Sequence, residues 1–296
     1  MPLNKDSYAN TFLVATVLCL VCAFLVSSAA VVLKPIQAAN VQLDRKKNIL
    51  SVTGFTQADI DEAGGVNELF AKRFDTKIID LRTGEEAVEE CKAAMEKAKD
   101  TTIEDIKGSY DQLWASKQKK EEIGLSIPLD KQEDVCGIKR RENFSSLYIL
   151  KSEDGNKIER YVLPVRGNGL WSLMQGYLAI EPDFQTVAGL TFYQQAETPG
   201  LGGEVMNPQW KKKWSGKKIY DGDTVALKVT KGDQSGNEYG VDALSGATIT
   251  SNGVTNMLEF WMGPKGFGPY IEKQKSGTSI AFLDRAKINS GDIHGQ

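Results

Sequence analysis

Four hydroxyl side chains crowd the stretch Val241-Asp242-Ala243-Leu244-Ser245-Gly246-Ala247-Thr248-Ile249-Thr250-Ser251-Asn252. Beyond it, Val254, Met257, Leu258, Trp261 and Met262 recur at i, i+3, i+4, i+7 and i+8, the buried stripe of an amphipathic helix that stops before Gly263-Pro264. Ser245, Thr248, Thr250 and Ser251 therefore gather at or near a helix N-terminus. Unpaired backbone N–H groups and the positive end of the helix dipole lie there, which suits a phosphate. Gly246 and Ala247 keep side-chain bulk low, so a phosphate can approach the backbone closely. The same residues also read as an ordinary Ser/Thr cap on a tight turn, and on spacing alone the plain cap is the commoner outcome.

The remaining inventory narrows the chemistry. His294 is the single histidine of the 296 residues, which removes Ser-His and Cys-His nucleophile pairs, multi-histidine zinc sites and bis-histidine haem. Cys19, Cys22, Cys91 and Cys136 are too few and wrongly spaced for a ferredoxin-type cluster. No catalytic residue and no metal site is expected, and any redox chemistry requires an organic cofactor. Thirty-six basic residues against thirty-nine acidic ones leave a net charge of −3 and no footprint for nucleic acid. With 41% apolar and 25% charged residues, the chain reads as globular, with room for one large or two modest domains.

The elements that must position the hydroxyl cluster divide into five stretches. Residues 1–10 form an N-terminal tail. Residues 11–33 carry no charge and are long enough for a transmembrane helix, which needs roughly 20 residues, and longer than the ~7–15 of a signal-peptide core. Cys19 and Cys22 share a face of that helix. Lys34, Arg45, Lys46 and Lys47 follow the span against Lys5 before it, which by the positive-inside rule would leave the C-terminal part in the cytoplasm; only Lys34 is close to the span, so the signal is weak. Residues 34–144 read as a helix-rich juxtamembrane extension: Glu85–Glu122 has helical propensity, with Ala87, Cys91, Ala94, Ala98, Ile103, Ile106 and Trp114 near helical spacing. Residues 145–270 change character. Leu147, Ile149, Tyr161, Leu163 and Val165 alternate with polar residues around the Asp154-Gly155-Asn156 turn, and further strands are expected at Thr186–Tyr193 and Thr224–Thr230. Gly-rich loops run through Arg166–Trp171 and Glu197–Glu204. Residues 271–296 form a C-terminal tail. The fold class is α+β: a single transmembrane helix followed by a mixed sheet-and-helix domain. Lys211, Lys212, Lys213, Lys217 and Lys218, beside Trp210 and Trp214, read as a solvated face or as a dock for lipid headgroups or an acidic neighbour.

Three blocks in one order resemble the FMN-binding domain family. Asp242-Ala243-Leu244-Ser245-Gly246-Ala247-Thr248 resembles its flavinylation motif D-x-x-S/T-G-A-T/S. Gln195-Ala196-Glu197-Thr198-Pro199-Gly200-Leu201-Gly202 resembles an E-T-P-G-L-G signature, and Gly169-Leu170-Trp171-Ser172 with Gly176-Tyr177 a third block. Within the family, the likeness is to the C subunits of sodium-translocating NADH:quinone reductases. Gln195, where the sister family usually has His, favours them over the G subunits of Rnf-type ion-translocating complexes. The resemblance implies FMN esterified covalently through its phosphate to Thr248, by a flavin transferase with FAD as donor. It implies further cofactor contacts from Ser245, Gly246, Ala247, Thr198, Gly200 and Gly202. Glu197 and Thr198 are expected near the polar edge of the ring, with Leu170, Trp171 and Leu201 near its apolar face. Asp242 belongs to the motif but, as an anion, is no phosphate ligand. The implied partners are the other subunits of a membrane oxidoreductase and membrane lipid. The implied setting is a bacterial cytoplasmic membrane with the flavin domain outside. An alternative from another class is a membrane-tethered binding or assembly module whose Ser-Gly-Ala-Thr is only a helix cap.

Overall fold

A computed structural model describes residues 8–99 and 101–276; most of the expected N-terminal tail, residues 277–296 of the expected C-terminal tail and His294 lie outside them. Contacts divide the chain into a unit that ends at Lys47 and a unit that begins at Asn48. Helix α1 (Tyr8–Val52) contains the whole expected span and continues through Pro35. Its apolar stretch is long enough to cross a membrane, and none of its most hydropathic window is buried by the chain.

The second unit is built on a six-stranded antiparallel sheet. Helices α2 (Gln57–Glu62) and α3 (Val66–Arg73) lead into β1 (Phe74–Asp80) and β2 (Glu85–Glu86). Helices α4 (Val88–Lys99), α5 (Ile106–Ser109) and α6 (Gln112–Ser116) follow, then the short pair β3 (Ser126–Pro128) and β4 (Arg140–Glu142). Strands β5 (Phe144–Lys151), β6 (Ile158–Asn168), β7 (Leu173–Ile180) and β8 (Val187–Gln194) complete the sheet in the order β2-β1-β5-β6-β7-β8. Helix α7 (Pro208–Lys212), strands β9 (Tyr220–Asp221), β10 (Thr224–Val225), β11 (Lys228–Thr230) and β12 (Gly240–Asp242), and helix α8 (Thr248–Met262) close the unit.

The pleat sorts side chains to two cores, since neighbouring residues of a strand point to opposite faces. Ile79, Leu147, Ile149, Tyr161, Leu163 and Val165 bury against Val254, Met257, Leu258, Trp261 and Met262 of α8. Ile78 and Phe144 face the other side, where Ala87, Cys91, Ala94, Met95, Ile103 and Ile106 cover them. The helical stripe and the 154–156 hairpin are therefore as the periodicity predicts. The Trp261 indole N–H donates to the carbonyl of Arg166 at 2.7 Å, tying α8 to β6.

Three details differ from the sequence reading. The stretch 85–122, read as having helical propensity, opens with strand β2 and then holds three separate helices, because Asp105 and Asp111 start new ones: their carboxylates accept from the amides of Gly108 (3.0 Å) and Trp114 (2.8 Å). The single strand expected at Thr224–Thr230 is split into β10 and β11, which pair with different neighbours. Residues 34–144 supply a sheet strand as well as helices: β1 pairs with β5 along its whole length, from Phe74 opposite Leu150 to Asp80 opposite Phe144. At the other boundary, residues 268–276 are helical, and Tyr270 and Ile271 are buried in the α8-side core.

Candidate functional site

Strand β12 runs parallel to β11 and delivers the hydroxyl-rich loop. Thr230 lies opposite Asp242, and the amide of Ala243 donates to the carbonyl of Thr230 at 2.9 Å. The loop then closes on itself and on the helix: Leu244 N–H donates to Ser251 Oγ at 3.1 Å and Ala247 N–H to the Leu244 carbonyl at 3.2 Å. Helix α8 begins at Thr248 with Ala247 as its N-cap and no side-chain cap. The plain Ser/Thr cap is thus not what this loop makes.

The four hydroxyls part into two pairs. Thr250 and Ser251 are buried and engaged, Thr250 donating to Glu197 Oε2 at 2.7 Å and Ser251 holding the loop. Ser245 and Thr248 are exposed, and neither side chain has a hydrogen-bond partner among the described residues. One residue turns an α-helix by about 100°, so Thr250 lies roughly 200° around the helix from Thr248. That offset, already present in the sequence, separates the structural hydroxyl from the available one. The N–H groups of Thr248, Ile249 and Thr250, the first three of the helix, have no intrahelical acceptor.

Glu197, only 4% exposed, sits under the site. Its carboxylate accepts from Leu170, Trp171 and Ser172 amides at 3.0 Å each, from Ser172 Oγ at 2.9 Å and from Thr250 Oγ1. Burial on its own raises its pKa, but the Thr250 hydroxyl, the Trp171 and Leu170 amides and the Ser172 hydroxyl outweigh burial and hold it below the ordinary glutamate value. Two glycines make room for this carboxylate. A Cβ on Gly169 would lie 2.6 Å from Glu197 Oε1, and one on Gly202 would lie 2.5 Å from Thr250 Oγ1.

Above this network lies a cleft of about 240 Å³. Leu170, Trp171, Glu197, Thr198, Leu201, Gly202, Gly246, Ala247 and Thr248 line it, with Ile249 and Thr250 added. Gly200, Ser245 and Asp242 do not. The volume falls below the ~300–1,000 Å³ usual for enclosed ligand pockets, so this is a shelf rather than an enclosure. Its rim is apolar and exposed: Trp171 at 71%, Ile249 at 56%, Leu170 at 46% and Leu201 at 43%. Outside α1, the only other exposed large hydrophobic side chains among the described residues are Val135 and Met206. Such clustering marks a binding surface.

Asp242 points elsewhere. It pairs with Lys213 and accepts from the Gln234 amide at 2.7 Å, and Lys213 holds its carboxyl below the usual aspartate range. The basic cluster is largely stitched into the fold. Lys217 donates to the carbonyls of Gln234 (2.9 Å) and Asn237 (2.6 Å), Lys218 to Thr186 Oγ1 (2.7 Å) and Lys211 to Thr191 Oγ1 (3.4 Å). Trp210 and Trp214 are buried edge to face at 5.2 Å. Cys91 and Cys136 lie in different cores, unpaired, with burial pushing each thiol up to about 12.

Residues 169–263 match the model of the FMN-binding domain family. The C subunit of the Na(+)-translocating NADH-quinone reductase of Vibrio anguillarum is 43% identical over 279 residues, covering 94% of this chain and 99% of that protein. Its counterpart in Pasteurella multocida is 41% identical over 275 residues, covering 93% and 97%. The crystal structure of Shewanella oneidensis NqrC superposes with a TM-score of 0.69 at 30% identity, covering 80% of this chain and 99% of that one. The chain belongs to the NqrC family, the C subunits of Na(+)-translocating NADH-quinone reductases. In this NqrC-family chain the FMN-binding match opens at Gly169, beside Glu197, and closes at Gly263, directly after α8. It thus encloses the shelf, the Glu197 network and the helix that carries Thr248. Sequence reasoning missed the parts played by Ser172 and Ile249. Ser172 stands next to Trp171 in a quoted block, but nothing in its type distinguishes an acceptor's partner from a turn residue.

Proposed function

We propose that this chain is the flavin-bearing electron-transfer subunit of a membrane sodium-translocating NADH:quinone reductase, with FMN esterified to Thr248 Oγ1. The observation that carries the reading is the exposed, unpartnered Thr248 hydroxyl at the edge of an apolar shelf, on a helix start whose first amides are free. These residues fit the cofactor: the amides suit a phosphate diester, and Leu170, Trp171, Leu201 and Ile249 suit a flat aromatic ring. When bound, FMN supplies acceptance and onward passage of electrons. Thr248 would tether it, and Leu170, Trp171, Leu201 and Ile249 would offer an apolar face to its ring.

Attachment balances as a phosphoryl transfer. The Thr248 oxygen bonds to the flavin-side phosphorus of FAD, the P–O–P bond breaks, AMP leaves, and the hydroxyl proton is released. A flavin transferase is the required partner. NADH, quinone and sodium are handled by other chains of the complex, and the span anchors this one in the bacterial cytoplasmic membrane with the flavin domain outside. The test is the mass of the purified full chain and of its Thr248 peptide. Each should exceed the sequence mass by one FMN less one water, with a flavin band fluorescent after denaturation. An unmodified peptide and a dark band would leave the membrane-tethered binding module standing instead.

A further inference from the structure

We infer that Glu197 is a positioning residue of the flavin site: it clamps the Leu170–Ser172 turn onto the first turn of α8, fixing Trp171 over the shelf, and does not itself touch the ring. The inference rests on reading the shelf as the flavin site. It departs from the expectation that Glu197 lies at the ring's polar edge.

A carboxylate offers about four lone-pair positions. Glu197 already receives five donors from the protein: Trp171 N–H, Ser172 N–H and Ser172 O–H on Oε1, and Leu170 N–H and Thr250 O–H on Oε2. No acceptor capacity remains for a ring N–H. The donors come from two segments far apart in sequence, the turn after β6 and the first turn of α8, and Glu197 belongs to neither. One ionised group therefore joins the helix that presents Thr248 to the turn that presents the most exposed apolar side chain of the shelf. The turn has one backbone closure of its own, Gly169 N–H to the Ser172 carbonyl at 2.8 Å. Ser172 is also tied to the Ala196 N–H, which donates to its Oγ at 2.9 Å, and the β6–β7 ladder ends at the Asn168–Leu173 pair, but the Leu170 and Trp171 amides have no acceptor other than Glu197 among the described residues. Gly169 and Gly202 leave the space the carboxylate fills: a Cβ on either would lie within 3.0 Å of a Glu197 oxygen.

A glutamine at 197 is the discriminating change. It keeps shape and volume but turns one oxygen into an NH₂, which meets N–H or O–H donors head-on. The experiment uses the full chain in two states. In the unflavinylated Thr248→Ala background, adding Glu197→Gln should speed hydrogen exchange of the Leu170, Trp171 and Ser172 amides by tenfold or more, on the order of losing charge-assisted hydrogen bonds. Amides in β5–β7 should keep their protection. Thr250→Val, which leaves the carboxylate in place, should produce a smaller increase at the same amides, and Thr250→Ser should restore the original rates. In the flavinylated chain, Glu197→Gln should keep flavin on Thr248 but make its fluorescence more quenchable by iodide and shift its midpoint potential, with Thr250→Ser behaving as the parent.

Unchanged exchange at residues 170–172 in both Glu197→Gln and Thr250→Val overturns the clamp. A shifted potential without any change in exchange also overturns it, since that pattern belongs to a ring ligand. Global loss of protection in Glu197→Gln moves the decision to Thr250→Val, where local loss supports the clamp and no loss overturns it. Absence of flavin from the parent chain would refute the functional reading while the exchange data still decide the clamp.

Discussion

Thr248→Ala separates attachment from folding more sharply than any other single change. The hydroxyl it removes is exposed and has no hydrogen-bond partner among the described residues, so its loss costs no buried hydrogen bond seen there. Surface changes of this kind stay within about 0.5 kcal/mol, and alanine's better helix propensity works in the variant's favour. The neighbouring hydroxyls behave oppositely. Ser251→Ala leaves the buried Leu244 amide without its acceptor, a cost of about 1–3 kcal/mol. Thr250→Val removes a donor from the Glu197 carboxylate, at about 1.5–3 kcal/mol. In a unit of this size, each kcal/mol lowers the melting temperature by roughly 2–4 °C. The expected matrix is therefore Thr248→Ala with parental melting and no flavin, Thr248→Ser with both retained, and Ser251→Ala and Thr250→Val with flavin retained and lowered melting. Thermal denaturation followed by circular dichroism, with intact mass on the same samples, reads both axes. Flavin retained in Thr248→Ala, or lost from a well-folded Thr250→Val, would refute the assignment of the hydroxyl.

The buried pair between Arg166 and Glu142 should be costly to break on one side only. Glu142→Ala strands the guanidinium and should lower stability by about 3–5 kcal/mol in chemical denaturation, while Glu142→Leu with Arg166→Met recovers most of it. Glu197 has a lowered folded-state pKa, so its stabilisation is complete above the ordinary glutamate value and fades as pH falls through the folded one. Acid titration of melting temperature should therefore be shallower below that ordinary value in Glu197→Gln than in the parent. Cys136 is buried with its thiol pushed up to about 12, so maleimide should leave it unmodified in the native chain. Ser235→Cys, on an exposed loop, should react with a membrane-impermeant maleimide in intact cells if the flavin domain faces outward.

The amphipathic stripe from Val254 to Met262 was readable because one face of α8 meets one core. The two Gly-rich segments and the hydroxyl-rich stretch at Asp242–Thr248 stood out in sequence, and nine of their residues meet at one shelf, although Arg166–Asn168 of the first segment belong to β6. Strand β1 was not readable. Ile78 and Ile79 are both apolar because they serve opposite cores, so the alternation that marks a half-buried strand is absent. The part played by Glu197 was hidden for a different reason. Its partners are mostly backbone amides, which carry no sequence signature, and a buried carboxylate satisfied by them looks in sequence like one waiting for a ligand. The missing hydroxyl cap on α8 follows from where the helix begins: Thr250 and Ser251 lie inside its first turn and bond to Glu197 and the Leu244 amide, and the cap position falls on Ala247.

The pairing of β1 with β5 carries a practical consequence for anyone trimming this chain. A fragment that starts at residue 145 would lose Phe144, strip the rest of β5 of its neighbour over six residue pairs and turn an interior strand into a bare sheet edge. Such an edge offers unpaired N–H and C=O groups to any passing chain and invites aggregation. An expressible redox module must therefore begin upstream of Phe74, so that what lies between anchor and cofactor is retained as part of the scaffold.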